Sequence, residues 1–166
     1  TFKYDINYHK GKSKWNNNID LAFGYSYFDF NKKPLKTDDR INLSSLYGYD
    51  VVKDELYITA NLNFQTQFAE GFDYKTDSTN KISKFLAPAY LTIGIGAQYT
   101  PTQWFSLNVA PASGRLTIVN DEKLSAAGAF GVTPGQKARM ELGAQMIANF
   151  NYEIFKNVVF TSKLVV

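Results

Sequence analysis

The chain has 166 residues and a formal charge of +3, enough length for one domain and too little charge for a basic-patch argument, so no nucleic-acid partner is expected. It contains no cysteine, which excludes a disulfide scaffold and a zinc–cysteine centre. No apolar run is long enough to cross a bilayer as a helix, a test that a membrane β-barrel would pass unseen because its strands are only half apolar.

The chain opens inside an alternating pattern with no signal peptide ahead of it, which reads as a mature form or a fragment. Alternation with a period of two is the mark of a strand, since successive side chains point to opposite faces. Phe2, Tyr4, Ile6 and Tyr8 begin it, against Lys3 and Asp5. Ile19, Leu21, Phe23, Tyr25 and Tyr27 follow, against Asp20, Ala22, Gly24 and Ser26. The third segment is Ile41, Leu43, Ser45, Tyr47, Tyr49 and Val51. The fourth, LYITANLNFQTQF over residues 56–68, is the strictest. Leu56, Ile58, Ala60, Leu62, Phe64, Thr66 and Phe68 share one parity, and Tyr57, Thr59, Asn61, Asn63, Gln65 and Gln67 share the other. Ala89, Leu91, Ile93, Ile95, Ala97 and Tyr99 stand against Thr92, Gly94, Gly96 and Gln98. Phe105, Leu107 and Val109 begin a sixth segment whose alternation then fades. The seventh runs from Ala138 to Ile154 against Arg139, Glu141, Gln145 and Glu153, and the eighth from Val158 to Val166 around Lys163.

No position on the apolar parity of these segments is charged. The other parity is dominated by amides, hydroxyls and glycine, with a few charges of mixed sign. One face that excludes charge and one that is wet but nearly neutral fit a wall between lipid and a confined lumen. The expected lumen-facing residues are Lys3, Asp5, Asp20, Asn61, Asn63, Gln65, Gln67, Gln98, Arg139, Glu141, Gln145, Glu153 and Lys163. A strand of about ten residues at ~3.3 Å each, tilted ~45°, covers roughly 23 Å, close to the ~25 Å apolar band of such barrels.

The connections alternate in length. Short ones are expected after Tyr8, at Lys53-Asp54, around Pro101 and around Lys156-Asn157, and long loops over residues 31–38, 70–84 and 110–136. That is the pattern of an up-and-down meander with two unlike rims. Aromatics mark both rims: Trp15, Tyr49, Tyr99, Trp104 and Tyr152 by the short turns, and Tyr25, Tyr27 and Tyr90 towards the long loops. The loop at 110–136 carries too much apolar side chain for a solvated loop and is expected to fold over or into the barrel mouth.

Reactive chemistry is sparse. His9, the one histidine, sits beside a lysine-rich turn with no G-x-S-x-G context, so no catalytic residue is assigned. Gly94-Ile95-Gly96 lies inside a strand and reads as room for a close neighbour, not a dinucleotide turn. Asp73, Asp77, Asp121 and Glu122 are loop acids without the ligand series of a calcium site, so no metal or cofactor is assigned.

The stretches KTDDRINLSSLYGYD, FQTQFAEGFDY, KFLAPAYLTIGIGAQY, APASGRLTIVND and LSAAGAFGVTPGQKARMELGA resemble an uncharacterised Bacteroidota family of outer-membrane β-barrel proteins, a domain-of-unknown-function family. The resemblance runs from about Trp15 to Val166. It implies location and fold, and brings no established activity or site residues. The family's pattern extends further at both ends, and this chain ends at Leu164-Val165-Val166 without a terminal aromatic. The lumen parity is also rich in small residues, including Ala22, Gly24, Ser44, Gly48, Gly94 and Gly143, which would under-pack a narrow closed barrel.

The expected fold is therefore all-β: a single domain over residues 1–166, a transmembrane antiparallel up-and-down β-barrel. About eight strands lie in this chain, within a barrel of about twelve, and the first and eighth do not pair. The expected function is a non-enzymatic outer-membrane barrel of a Gram-negative bacterium, a channel or uptake barrel for small polar solutes whose partner is the lipid bilayer. The alternatives are a structural subunit docking with other outer-membrane proteins, and a soluble β-barrel or sandwich binding protein, which predicts the same alternation.

Overall fold

The computed structural model describes residues 1–26, 35–73, 77–156 and 158–166. Eight antiparallel strands form one sheet in simple up-and-down order. They are β1 (Phe2–Lys10), β2 (Ser13–Ser26), β3 (Leu35–Val52), β4 (Leu56–Thr66), β7 (Ala89–Thr102), β8 (Phe105–Ile118), β9 (Ala138–Phe155) and β10 (Val158–Val165). A separate two-stranded hairpin, β5 (Gly71–Asp73) and β6 (Asp77–Ser83), interrupts the meander. A short helix α1 (Glu122–Ala126) and a 3-10 turn (Ala129–Gly131) follow β8. The sheet is open, with β1 and β10 as its two edges.

Each apolar segment read from the sequence falls on a strand, but most strands are longer than their alternating cores. β2 starts at Ser13 because the two residues Gly11-Lys12 suffice to turn the chain, with Gly11 at a φ of 58°. The turn after β3 closes through Asp54 at a φ of 61°, a left-handed conformation that a short aspartate tolerates. Pro101 lies within β7, so the next turn falls at Gln103-Trp104. Backbone bonds tie neighbouring strands together beside these turns: Asp50 N to Lys12 O, Thr100 N to Glu55 O and Asn151 N to Trp104 O. The turns at 11–12, 53–55 and 103–104 therefore share one rim; Asn157, in the fourth expected short connection, lies outside the described residues.

The expected long loops contain strand residues. β3 begins at Leu35, inside the expected 31–38 loop, and residues 31–34 lie outside the described residues. The expected 70–84 loop contains the β5–β6 hairpin. The expected loop at 110–136 needs the largest correction, because β8 continues to Ile118 and pairs with β9 as far as Ile118↔Ala138. A β-bulge explains the missed half-strand. Val109 pairs with Ala97 and Ala112 with Ile95, so β8 spends one extra residue there and its outward parity switches from Val109 to Ala112, Gly114 and Leu116. Pro111 sits in the bulge, where its missing N–H breaks no ladder bond. Gly96 faces the bulge: a Cβ there would lie 2.7 Å from the Ala110 Cα and closer still to the Val109 carbonyl oxygen. Gly94 similarly makes room for the Asn61 side chain.

The two sheet faces are unequally enclosed. On β4, Tyr57 and Thr59 are buried, whereas Ile58 is 53% exposed. The same holds on β2, β3, β7 and β8, whereas β1 and the first half of β9 are exposed on both faces. Ala22, Gly48, Gly94, Ala110 and Thr117 are buried on the polar parity, while Phe2, Tyr4, Phe23, Ile93, Ile95, Met140 and Leu142 are exposed on the apolar one. The hydrophobic core lies elsewhere. Ala87, Val119, Leu124 and Val132 are buried together at the long-loop end, with Ala129 packed against them.

Candidate functional site

The strand register places the polar residues in cross-sheet rows. One row runs Lys3, Asp20, Asn42, Gln65, Tyr90, Thr117 and Arg139; the next runs Asp5, Asn18, Ser44, Asn63, Thr92, Arg115 and Glu141. Charges are mostly matched on this face, within and between rows. Lys3 lies 3.9 Å from Asp20, and Arg40 reaches Asp20 at 3.3 Å and Asp38 at 2.8 Å. Arg139 pairs with Glu141 at 2.7 Å. Asn18 donates to Asp5 at 2.7 Å. Towards the short turns Lys14 donates to the Tyr57 hydroxyl at 2.7 Å. Such half-exposed pairs add little stability individually; their effect is to keep the face polar and nearly neutral.

Of the expected lumen residues, Lys3, Asp5, Asp20, Asn61, Asn63, Gln65, Gln98, Arg139, Glu141 and Gln145 share this polar parity by register. On β9–β10, Glu153 pairs with Val159 and Lys163 with Asn149, at the open side of the sheet. Gln67 leaves the sheet: its amide donates to the Lys84 and Ala87 carbonyls and holds the turn before β7. Hollows line the face. One of about 310 Å³ lies at the long-loop end among Arg40, Asn42, Gln65, Gln67 and Tyr90, and one of about 130 Å³ lies near Lys14, Tyr57 and Gln98.

The aromatics divide differently from expectation at one position. Trp15, Tyr49, Tyr99, Trp104 and Tyr152 are exposed around the short-turn rim, where the Trp104 ring sits 5.3 Å from Phe150 and 5.6 Å from Tyr152. Tyr25 is exposed at the opposite rim, 5.2 Å from Phe23. Tyr90 is on the polar face, with the Arg115 guanidinium 4.5 Å from its ring centroid. Its even position in β7 dictates this, since the apolar face takes Ala89 and Leu91. Tyr27 lies outside the described residues.

A second structured region caps the long-loop end. Asp121 is the N-cap of α1, accepting from Lys123 N and Leu124 N at 3.1 Å each. Its buried carboxylate also meets Lys81 of β6 at 2.5 Å and Lys84 at 3.7 Å. The Lys81 hydrogen bond outweighs desolvation and holds the Asp121 carboxyl below the usual carboxylate range; the same contact holds the Lys81 ammonium above its ordinary value. Asp121, considered from sequence as a calcium ligand, is thus engaged by lysines and a helix terminus. The side chain of Asp77 lies outside the described residues. Among the described residues no group of three metal-ligating side chains converges. His9 is exposed on β1 opposite Lys14.

The cap is tied to the sheet. Asn120 N donates to Leu86 O at 2.8 Å, and Thr66 Oγ1 bridges Leu86 N and Pro88 O. Arg139, on the polar face, donates to Gly131 O at 3.1 Å and so holds the 3-10 turn on that side of β9. The sequence marked the 110–136 stretch as too apolar to be solvated, but nothing in its pattern identified the β5–β6 hairpin as the partner supplying Lys81.

Residues 1–72 match a family model described as a protein of unknown function (DUF3078). The match covers β1 to β4 and stops at the start of the cap hairpin, so of the expected resemblance only membership of a domain-of-unknown-function family is supported, and only across that part; it says nothing of Bacteroidota or the outer membrane. No curated protein and no solved structure matches the chain.

Proposed function

We propose that this sheet is the wall of a transmembrane β-barrel of about twelve strands in the outer membrane of a Gram-negative bacterium. In this reading the protein is non-enzymatic and passes or takes up small polar solutes. The observation that carries the reading is the inversion of the central strands: a broad, charge-free apolar face is exposed, while Tyr57, Thr59 and Thr117 on the polar parity are buried and Asn61 and Asn63 half-buried. A soluble protein rarely leaves more than a few hundred Å² of contiguous apolar surface bare. Hydrocarbon makes such a face favourable, and the aromatic rim at the short turns fits the interface beside it. The open edges β1 and β10 accept further strands, which backbone groups in hydrocarbon require.

Lipids brominated at defined depths test this reading through Trp15 and Trp104. The expected result is stronger quenching by bromine near the headgroups than near the chain ends. Quenching by aqueous iodide alone would favour the soluble sandwich, whose apolar face must be covered by a second layer.

A docking role is supported by a different observation: the cap has its own core and buried ion pair, and so forms a built platform outside the sheet. Conductance of the reconstituted protein, with and without residues 119–137, separates the two. Solute passage predicts a current that rises when the cap is replaced by a flexible linker; docking alone predicts none in either form.

A further inference from the structure

The strand cations Lys3, Lys14, Arg40 and Arg139 each have a carboxylate within 4 Å on the polar face. Arg115 differs. Its cross-strand neighbour on β9 is Glu141, but that carboxylate is bound by Arg139. Among the described residues Arg115 has no hydrogen bond or ion pair, and its guanidinium lies over the Tyr90 ring, 4.5 Å from the centroid. A stacked guanidinium is held flat, with its N–H groups still free to bind a planar or tetrahedral oxyanion by paired hydrogen bonds. Tyr90 also lines the hollow of about 310 Å³, together with Asn42 and Gln65, whose amides make no hydrogen bond among the described residues. An unneutralised fork on the Tyr90 ring thus stands beside the hollow that Tyr90, Asn42 and Gln65 line together with Asp39 and Arg40; Arg115 itself does not line it.

We propose that Arg115 on Tyr90 forms an oxyanion subsite, which takes the carboxylate or phosphate group of a small polar solute while Asn42 and Gln65 meet its uncharged remainder. The subsite rests on the reading of the polar face as a wet lumen. It narrows the solute class from polar molecules to those carrying one anionic group.

The test is titration of the full chain in detergent micelles with inorganic phosphate, and separately with acetate, at constant ionic strength. Saturable binding of either anion is expected, and the two arms distinguish a phosphate from a carboxylate ligand. Arg115→Gln should weaken it by about tenfold or more, the effect of losing a charge-assisted pair. Arg115→Lys, which keeps the charge without the fork, should fall between them, and it carries the test if the glutamine variant does not fold. No saturable binding of either anion by the wild-type chain, or undiminished binding by both variants, overturns the proposal. Flotation of the same preparation with vesicles tests the membrane reading separately, so a chain that inserts but binds no anion fails here alone.

Discussion

Val119, Leu124 and Val132 in the cap are at most 8% exposed, whereas Ile58, Ile95 and Leu142 in the sheet are 53%, 60% and 78% exposed. All six are aliphatic and their placement is opposite. In the cap, an apolar cluster is closed by polar groups that are themselves satisfied: Asp121 by a helix terminus and two lysines, Gln67 and Thr66 by carbonyls. In the central strands of the sheet, the polar groups lie on the more enclosed side and the apolar ones outside. Burying apolar area stabilises by about 25 cal/mol per Å² only when the alternative is water. The cap is organised as though water surrounds it, and the outer sheet face as though hydrocarbon does. This contrast within one chain supports the membrane proposal more strongly than strand alternation, which a soluble sandwich shares.

The largest expected effect comes from charging the apolar face. Leu62→Arg, at the middle of the β3–β4 pairing opposite Ser45, should cost about 2–4 kcal/mol or block insertion, and Asn63→Arg next to it should be tolerated. Equal damage, read by heat-modifiability or refolding yield in vesicles, would erase the distinction between the faces. In the cap the sign is the ordinary one. Leu124→Ala should destabilise the cap by about 2–4 kcal/mol and raise hydrogen exchange across 119–137 while β2–β4 stay protected. Exchange rising throughout the sheet would show that the cap is not a separate unit.

A smaller effect is expected at the bulge. Gly96→Ala should cost about 1–3 kcal/mol, because its Cβ meets the backbone of Val109 and Ala110, which cannot swing aside as a side chain can. Unchanged stability would mean that the bulge shifts freely. The smallest effect is the pH response of the cap. Asp121 has a depressed carboxyl in the folded state, so its contribution is present above the ordinary carboxylate pKa of about 3.9 and is lost as pH falls through the folded value. Proteolysis of 119–137 should therefore increase only below the usual carboxylate range, and Asp121→Asn, which keeps a capping side chain, should flatten that dependence.

What was legible in the sequence follows this division. The sheet repeats one simple constraint, a period of two with one face free of charge, so its eight strands can be phased from residue type. The phase fails where the backbone itself changes count. After Val109 the bulge at Ala110-Pro111 inverts the parity, and the rest of β8 then looks like loop although it pairs through Ile118. The cap has no period to read. Its hairpin strands are short, its helix spans one turn and a half, and its key contact joins Lys81 to Asp121 across a whole hairpin of intervening sheet. Arg115 and Tyr90 were equally hidden, because their stacking depends on β7–β8 register beyond the bulge.

The most direct test of the central proposal is a labelled-cysteine scan of residues 57–65, where the absence of native cysteine makes every label unique. An environment-sensitive fluorophore is placed at each position in turn, and the protein is reconstituted in vesicles. The account predicts a strict period of two, with apolar, lipid-quenched emission at Ile58, Ala60, Leu62 and Phe64 and polar, lipid-insensitive emission at Tyr57, Thr59, Asn61, Asn63 and Gln65. Emission that does not alternate, or alternates with the opposite phase, would contradict it.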